Sequence, residues 1–379
     1  MNSIERIFHP SRRIHSMAAA LELALLALLA GWVLTTWRYP AGDFLNNAWA
    51  PARLLWLGGN SPYDQAAASQ LLAGAATSPV LQAVWTPLAL PLFLPLSFLP
   101  PGLAANLWFL AQFAWLLMAA ALLSRSKAAG PRSLLALTVL MLFPPALNAL
   151  MLGQVTAFAV VVLVAGALAA DRGRVRLAGF LMAWALIKPQ LTPLILLALG
   201  VWVWQGRRLR QLLIGGSCGL VTGLGPIIAL RPTIAGEYVS ALRTNPQWLH
   251  ASLPALVREA TGKAGAGYAT WLILATAVLW VTYRVWQVLP FRPAVAWTLA
   301  LTLLVTPYVW SWDQVLLLPL MGHVSLSTRG WQAAGWWIGL ALIAGGYLWI
   351  GLRVQNASHW YTWVPYAVMA LAWGMRDGA

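Results

Sequence analysis

Acidic residues are scarce in this chain: nine Asp and Glu among 379 residues. Charged residues of both signs make up only 9% of the sequence, whereas a soluble domain carries about 25%. No soluble domain of useful size fits between the apolar stretches, which recur along the whole length and read as one integral membrane domain, residues 1–379. There is one cysteine, Cys218, so no intramolecular disulfide can form. No cluster of Cys and His has zinc-ligand spacing, and neither a metal nor another cofactor is expected.

What is abundant is apolar surface, 60% of residues, together with 24 tryptophans and a net charge of +15. Such a charge on a soluble protein would point to nucleic acid. Here the basic residues sit in short clusters between apolar runs, at Arg12-Arg13, Arg125 to Arg132, Arg172 to Arg176 and Arg207 to Arg210. That is the pattern of cytoplasmic loops, and it makes membrane lipids rather than nucleic acid the expected partner. Tryptophans at the ends of apolar runs, such as Trp32, Trp37, Trp202 and Trp363, fit interfacial anchors.

Keeping the basic clusters inside threads the chain as an all-α polytopic protein of about 12 spans with both ends cytoplasmic. The first span, about 17–37, reads as uncleaved and leads out to a long outer loop over about 38–101. Spans follow at 102–124, 133–150, 155–170, 211–230, 268–287, 294–309, 313–327, 331–350 and 361–375. A second outer loop covers about 231–267. Between two basic clusters, Leu177 to Trp204 must leave and return with about 14 residues per leg, too few for two full spans. Two short helices turning at Lys188-Pro189 within the membrane are predicted. A lysine there needs a polar cavity or a partner. Residues 82–101 carry five prolines and are expected to be juxtamembrane or re-entrant on the outer side.

The outer and membrane-level acids are Asp43, Asp64, Glu237, Glu259 and Asp313. Asp43 opens a stretch with apolar residues at 45, 48/49, 52 and 55/56, which predicts a helix lying along the membrane surface. By spacing alone a first-turn acid is the more economical reading of Asp43. The alternative is a base that takes a proton from an attacking hydroxyl. The outer cations, among them Arg38, Arg53, Lys188, Arg231, Arg243, Arg258, Lys263 and Arg353, suit an anionic phosphate, whether of a leaving group or of lipid heads. Asp313 stands at a turn, where it caps a helix or orients Lys188 or a substrate hydroxyl. His250 in the second outer loop reads more readily as an ordinary polar residue than as a catalytic one.

Five stretches in order carry a resemblance. They are Gly42-Asp43-Phe44 with Ala52-Arg53-Leu54-Leu55 and Ser61-Pro62-Tyr63-Asp64; Trp85-Thr86-Pro87-Leu88 through Pro95-Leu96 to Asn106-Leu107-Trp108; Leu152-Gly153-Gln154-Val155; Ala178-Gly179 with Ile187-Lys188-Pro189; and Thr306-Pro307 with Ser311-Trp312-Asp313. Their order resembles glycosyltransferase family 87 of the GT-C superfamily, which includes polyprenyl-phosphate-mannose-dependent mannosyltransferases. The resemblance implies a GT-C-type helical bundle with juxtamembrane helices in the first outer loop. It further implies an enzyme of the bacterial inner (plasma) membrane, acting on its periplasmic side without a nucleotide sugar. A sugar, mannose or a related monosaccharide, would pass from a polyprenyl-phosphate donor to a hydroxyl of a lipid or glycan acceptor, with inversion. Asp43 matches the family's catalytic aspartate. Lys188, Arg53, Arg243 and Arg258 would hold the donor phosphate, and Asp64, Tyr63, Gln154, His250, Trp312 and Asp313 would bind or orient substrate. Two competing readings are a transporter or flippase of 12 spans and a lipid-linked glycan ligase or polymerase.

Overall fold

The computed structural model describes residues 42–73, 85–123, 131–244, 250–353 and 358–375. The expected first span at 17–37, Arg38, the Arg12-Arg13 pair and most of the Arg125–Arg132 cluster lie outside the described residues. Among those described there are helices and connections and no strand. Two contiguous hydrophobic cores organise the chain. One is built from helices between Pro101 and Gly374. The other gathers the first helix, residues 87–97 and the start of helix Pro101–Leu122.

Among the described residues four helices are long and apolar enough to cross a membrane: Pro101–Leu122, Leu209–Leu230, Ala264–Val288 and Gly330–Arg353. A fifth crossing results if Pro144–Leu152 and Thr156–Asp171, bent by 115° at Gly153, count as one. The structure therefore supports a helical membrane protein with four or five spans among the described residues, against the threaded count of about 12. Proline accounts for much of the difference. Pro144-Pro145 restart the chain after a break at residues 141–143, so the expected span 133–150 becomes helices Pro131–Leu140 and Pro144–Leu152. The expected span 313–327 is split into a 3₁₀ turn, Ser311–Leu317, and helix Leu318–Ser327, with Pro319 at its start.

In helix length and in the position of the breaks, two expectations match the structure. The Leu177–Trp204 stretch forms two short helices, Val175–Ala185 and Pro193–Gln205, joined through Lys188 and a 3₁₀ turn, Pro189–Leu191. Residues 87–97 form a 3₁₀ turn and a short helix, Leu90–Ser97, too short to cross a membrane. It packs on the helix that follows Asp43.

The helix expected along the membrane surface is covered by protein. Residues 42–58 form one continuous helical rod, π-wound over Leu45–Trp49, and every residue from Asp43 to Ala52 is buried. Phe44, Leu45, Ala48, Trp49, Leu54 and Leu55 surround the rod with apolar groups, and a helix apolar on all sides is covered on all sides.

Helix Val175–Ala185 makes its most extensive contact with Leu209–Leu230. Gly215, Gly219 and Gly223 recur every four residues along the latter. A Cβ on Gly215 would stand 1.9 Å from the Arg176 carbonyl oxygen, and one on Gly179 would stand 2.0 Å from that of Leu212. Small residues at that spacing let two backbones touch, the usual way apolar helices associate where lipid removes the hydrophobic drive. This contact fixes the helix that ends just before Lys188.

Candidate active site

Four buried side chains meet, and three of them, Gln154, Lys188 and Asp313, stand where α-helix is interrupted. Asp43 lies in the first turn of the 42–58 rod. Gln154 follows the end of helix Pro144–Leu152. There Gly153, at φ +75°, donates to the Ala149 and Leu150 carbonyls, and the Gln154 N–H donates to that of Ala149. A left-handed residue that reverses the chain in this way is most often glycine. Gly153 has a second reason to be glycine: a Cβ would stand 2.5 Å from that of Phe44, the residue after Asp43. The Trp108 indole N–H donates to the Gly153 carbonyl at 2.8 Å, and its ring stacks on Phe44 at 5.4 Å. The rod is thus pressed onto the Gly153 turn, bringing residues 43 and 154 together.

Lys188 stands in the break between two short helices. Pro189 pushes the preceding residue out of helical geometry, and Lys188 sits at φ −123°, ψ 77°. The break is pinned from two sides: the Thr86 hydroxyl donates to the Ile187 carbonyl at 3.1 Å, and that of Thr306 to the Gln190 carbonyl at 3.1 Å. Asp313 enters from the 3₁₀ turn Ser311–Leu317.

The four form a chain of polar contacts. Gln154 Nε2 donates to Asp43 Oδ2 in a short hydrogen bond. Lys188 Nζ lies 3.4 Å from Gln154 Oε1 and 2.6 Å from Asp313 Oδ1. The Thr156 hydroxyl donates to the same Asp313 oxygen at 2.8 Å, and the Trp310 backbone N–H donates to Asp313 Oδ2 at 3.1 Å. Asp313 therefore serves both roles read from sequence, capping its own turn and pairing with Lys188. All four side chains are buried, with exposures of 6% for Asp43 and Lys188, 3% for Gln154 and none for Asp313. Burial pushes the Asp43 carboxyl up to about 6, against the opposing pull of the Lys188 charge and the Gln154 hydrogen bond. A carboxylate with that value sits near the operating range of a general base.

The other sequence-named residues are placed differently. His250 packs on Tyr308, with ring centroids 4.1 Å apart, and edge-on to Trp310. Burial, reinforced by the Arg258 charge, lowers it to about 4 despite the nearby Asp313, so it is a neutral ring at neutral pH. Arg258 is half-buried on helix Leu253–Thr261, close enough to act on His250. Trp312 stacks on Trp310 at 4.8 Å.

Arg53 is committed elsewhere: Nη1 donates to the Ser97 carbonyl at 2.6 Å, and its guanidinium lies over Trp49. Arg243 is exposed near the end of helix Ile234–Thr244. Asp64 is exposed and caps helix Gln65–Leu71, accepting from the Ala67 N–H at 3.0 Å. The Tyr63 hydroxyl donates to the Trp85 carbonyl at 3.1 Å. The structure thus gathers Asp43, Gln154, Lys188 and Asp313, sets His250 and Arg258 beside them, and leaves Arg53, Arg243 and Asp64 in other contacts. Thr156 was not singled out by sequence. Its only signal was being the first hydroxyl after Gly153-Gln154.

Among the described residues no group of His, Cys, Asp and Glu could hold a metal ion. Searches of curated proteins and of solved structures give no match. The family model of glycosyltransferase family 87 matches residues 83–307, which includes Gln154 and Lys188 and stops short of Asp43 and Asp313. That match covers more than half of the chain, and a helical membrane protein with this break at Lys188 belongs to glycosyltransferase family 87.

Proposed function

We propose that this membrane glycosyltransferase moves a monosaccharide, mannose or a close relative, from a polyprenyl-phosphate donor to a hydroxyl of a lipid or glycan acceptor. The reaction takes place on the extracytoplasmic face of a bacterial inner membrane. The observation that carries this reading is the buried chain Asp43–Gln154–Lys188–Asp313, with a carboxyl raised to about 6 at one end and a cation at its centre.

Asp43 is the general base. Its Oδ2 is held by Gln154, and among the described residues its Oδ1 has no hydrogen-bond partner, leaving an oxygen to accept a proton. The acceptor hydroxyl loses its proton to Asp43 as its oxygen forms a bond to the anomeric carbon. The bond from that carbon to the phosphate oxygen breaks, and polyprenyl phosphate departs. One displacement inverts the anomeric centre. Lys188 supports the leaving phosphate. An ammonium has three donors, of which Asp313 and Gln154 engage two. Arg258 is the second cation nearest this role, because its charge reaches His250 beside Asp313. Asp313 fixes Lys188 in place, and the short helices on either side of the break are membrane-embedded legs that hold it at the outer side.

The test uses purified protein in nanodiscs with a polyprenyl-phosphate sugar and candidate acceptors, reading the glycosidic product and the released polyprenyl phosphate. Formation of both by the wild type, lost in Asp43→Asn, is the expected result. Undiminished transfer by Asp43→Asn removes the base. Movement of intact lipid across the bilayer with no glycosidic bond replaces the transferase with a flippase.

A further inference from the structure

Helices Thr156–Asp171 and Val175–Ala185 pack along each other as a hairpin. Its open end serves the chemistry above: Thr156 holds Asp313, and Lys188 follows just after Ala185. Its closed end, the turn from Asp171 to Arg174, has no part in that chemistry. The first helix is 16 residues long, which places this turn about 24 Å from Thr156.

A cavity of about 190 Å³ opens beside the turn. That is more than ten times the space one water needs. Its wall combines the apolar side chains of Leu122, Ala165, Leu168 and Leu181 with Arg172 and Arg174. A third arginine reaches the same turn from another helix. A Cβ on Gly173 would stand 3.3 Å from Arg208 Nη1, and Arg208 immediately precedes helix Leu209–Leu230. The close packing of that helix on Val175–Ala185 is what brings the third cation in.

These cations are not offset within the protein. Arg172, Arg174 and Arg208 are exposed, and among the described residues none pairs with an acid. Asp171, the acid of the turn itself, is exposed and forms no ion pair among them either. Arg174 occupies the cap position of helix Val175–Ala185 without a side-chain cap bond, so the positive end of that helix adds to the charge. Arginines that only fix the orientation of a chain need no cavity beside them. Here a cation cluster and an apolar volume coincide.

We propose that the closed end of this hairpin binds an anionic membrane phospholipid, with its phosphate on Arg172, Arg174 and Arg208 and an acyl chain in the cavity. Basic pockets between membrane helices suit such head groups, and a guanidinium can bind two phosphate oxygens at once. Hydrocarbon fits the apolar part of the wall, where water would find few partners. A free phosphate would use the basic half of the site and leave the apolar half empty. The site is independent of the transferase reading, because no reacting group belongs to it.

The experiment is native mass spectrometry of the full chain, equilibrated in detergent with equal amounts of phosphatidylglycerol and phosphatidylcholine bearing the same acyl chains. Wild type is expected to retain phosphatidylglycerol about tenfold more than phosphatidylcholine. The triple variant Arg172→Gln, Arg174→Gln, Arg208→Gln should bring that ratio to about one. The control triple Arg284→Gln, Arg292→Gln, Arg329→Gln removes the same charge elsewhere and should keep the preference. Ala165→Phe fills the cavity, keeps the three arginines and should lose about nine-tenths of the retained phosphatidylglycerol. Thermal unfolding gives a second measure: phosphatidylglycerol should raise the unfolding temperature of wild type and not that of the first triple variant. Equal retention of the two lipids by wild type, equal loss in the two triple variants, or undiminished retention in Ala165→Phe each overturns the site. Release of the bound lipid by millimolar inorganic phosphate would leave a phosphate site only and overturns the assignment to a lipid.

Discussion

Two carboxylates, each close to a cation, end at opposite extremes. Asp43 lies within reach of the Lys188 charge and is raised to about 6. Glu237 faces Arg231, with Nε 2.6 Å from Oε1, and is held at about 2. Burial raises both. Glu237 overcomes it because Arg231 binds both of its oxygens while the Ser61 and Thr233 hydroxyls each donate as well. Asp43 has a single hydrogen bond, and its cation is already paired with Asp313. The number of donors aimed at the carboxylate, more than the presence of a cation, separates a fixed anion from a base. Glu237 thereby ties the segment around Ser61 to helix Ile234–Thr244, and Asp43 is left able to exchange a proton.

Asp43→Asn tests the comparison with the largest effect. Transfer should fall about 10²–10⁴-fold, as when a general base is lost. Its stability should move the other way. A raised carboxyl contributes most when protonated, below its unfolded value of 3.8, and that contribution is lost as pH rises through about 6. Above pH 6 the ionised group costs up to about 3 kcal/mol, so the neutral amide should melt higher than wild type. An inactive variant that is also less stable would break the contrast, because Asp43 would then be a structural anion like Glu237.

Lys188→Met should lower stability by about 3–5 kcal/mol by leaving Asp313 buried and unpaired, read by thermal unfolding in detergent. Adding Asp313→Asn should recover much of that loss. No recovery would mean that Lys188 is held by something other than its partner.

The pH profile sharpens the contrast further. A base works only when ionised, so kcat/KM should be full above about pH 6 and fall about tenfold per unit below it. Gln154→Leu removes a hydrogen bond to the charged form, so the acid limb should move to higher pH. A limb that stays in place would detach the profile from Asp43.

The smallest effect belongs to the Arg231–Glu237 pair. Glu237→Gln should cost no more than about 1 kcal/mol, since the pair is partly solvated. A depressed carboxyl contributes above its unfolded value of 4.5, so the difference from wild type should vanish as pH falls from there towards 2. Amide exchange in residues 59–63 and 231–237 would report it.

Legibility from sequence followed what a residue decides locally. Lys188-Pro189 announced a break inside an apolar run, because proline forbids the helix and lysine forbids bare lipid. Asp43 stood out as a lone acid beside a span, and Asp313 as a turn acid. The span count was less legible. Proline cuts spans into pieces whose embedding depends on neighbours, and length alone then stops counting them. The helix after Asp43 was expected to keep an exposed face, whereas protein covers it from Asp43 to Ala52, polar residues included. The meeting of Asp43 with Gln154 was beyond local reading, since it depends on Gly153 admitting the backbone of Phe44.

The members of the buried chain come from distant parts of the sequence: 111 residues separate Asp43 from Gln154, and 125 separate Lys188 from Asp313. During synthesis Lys188 is made long before its counter-ion Asp313. Until residue 313 arrives, the nascent chain carries an uncompensated ammonium that a membrane tolerates poorly. That charge is compensated only when the last of the four groups arrives.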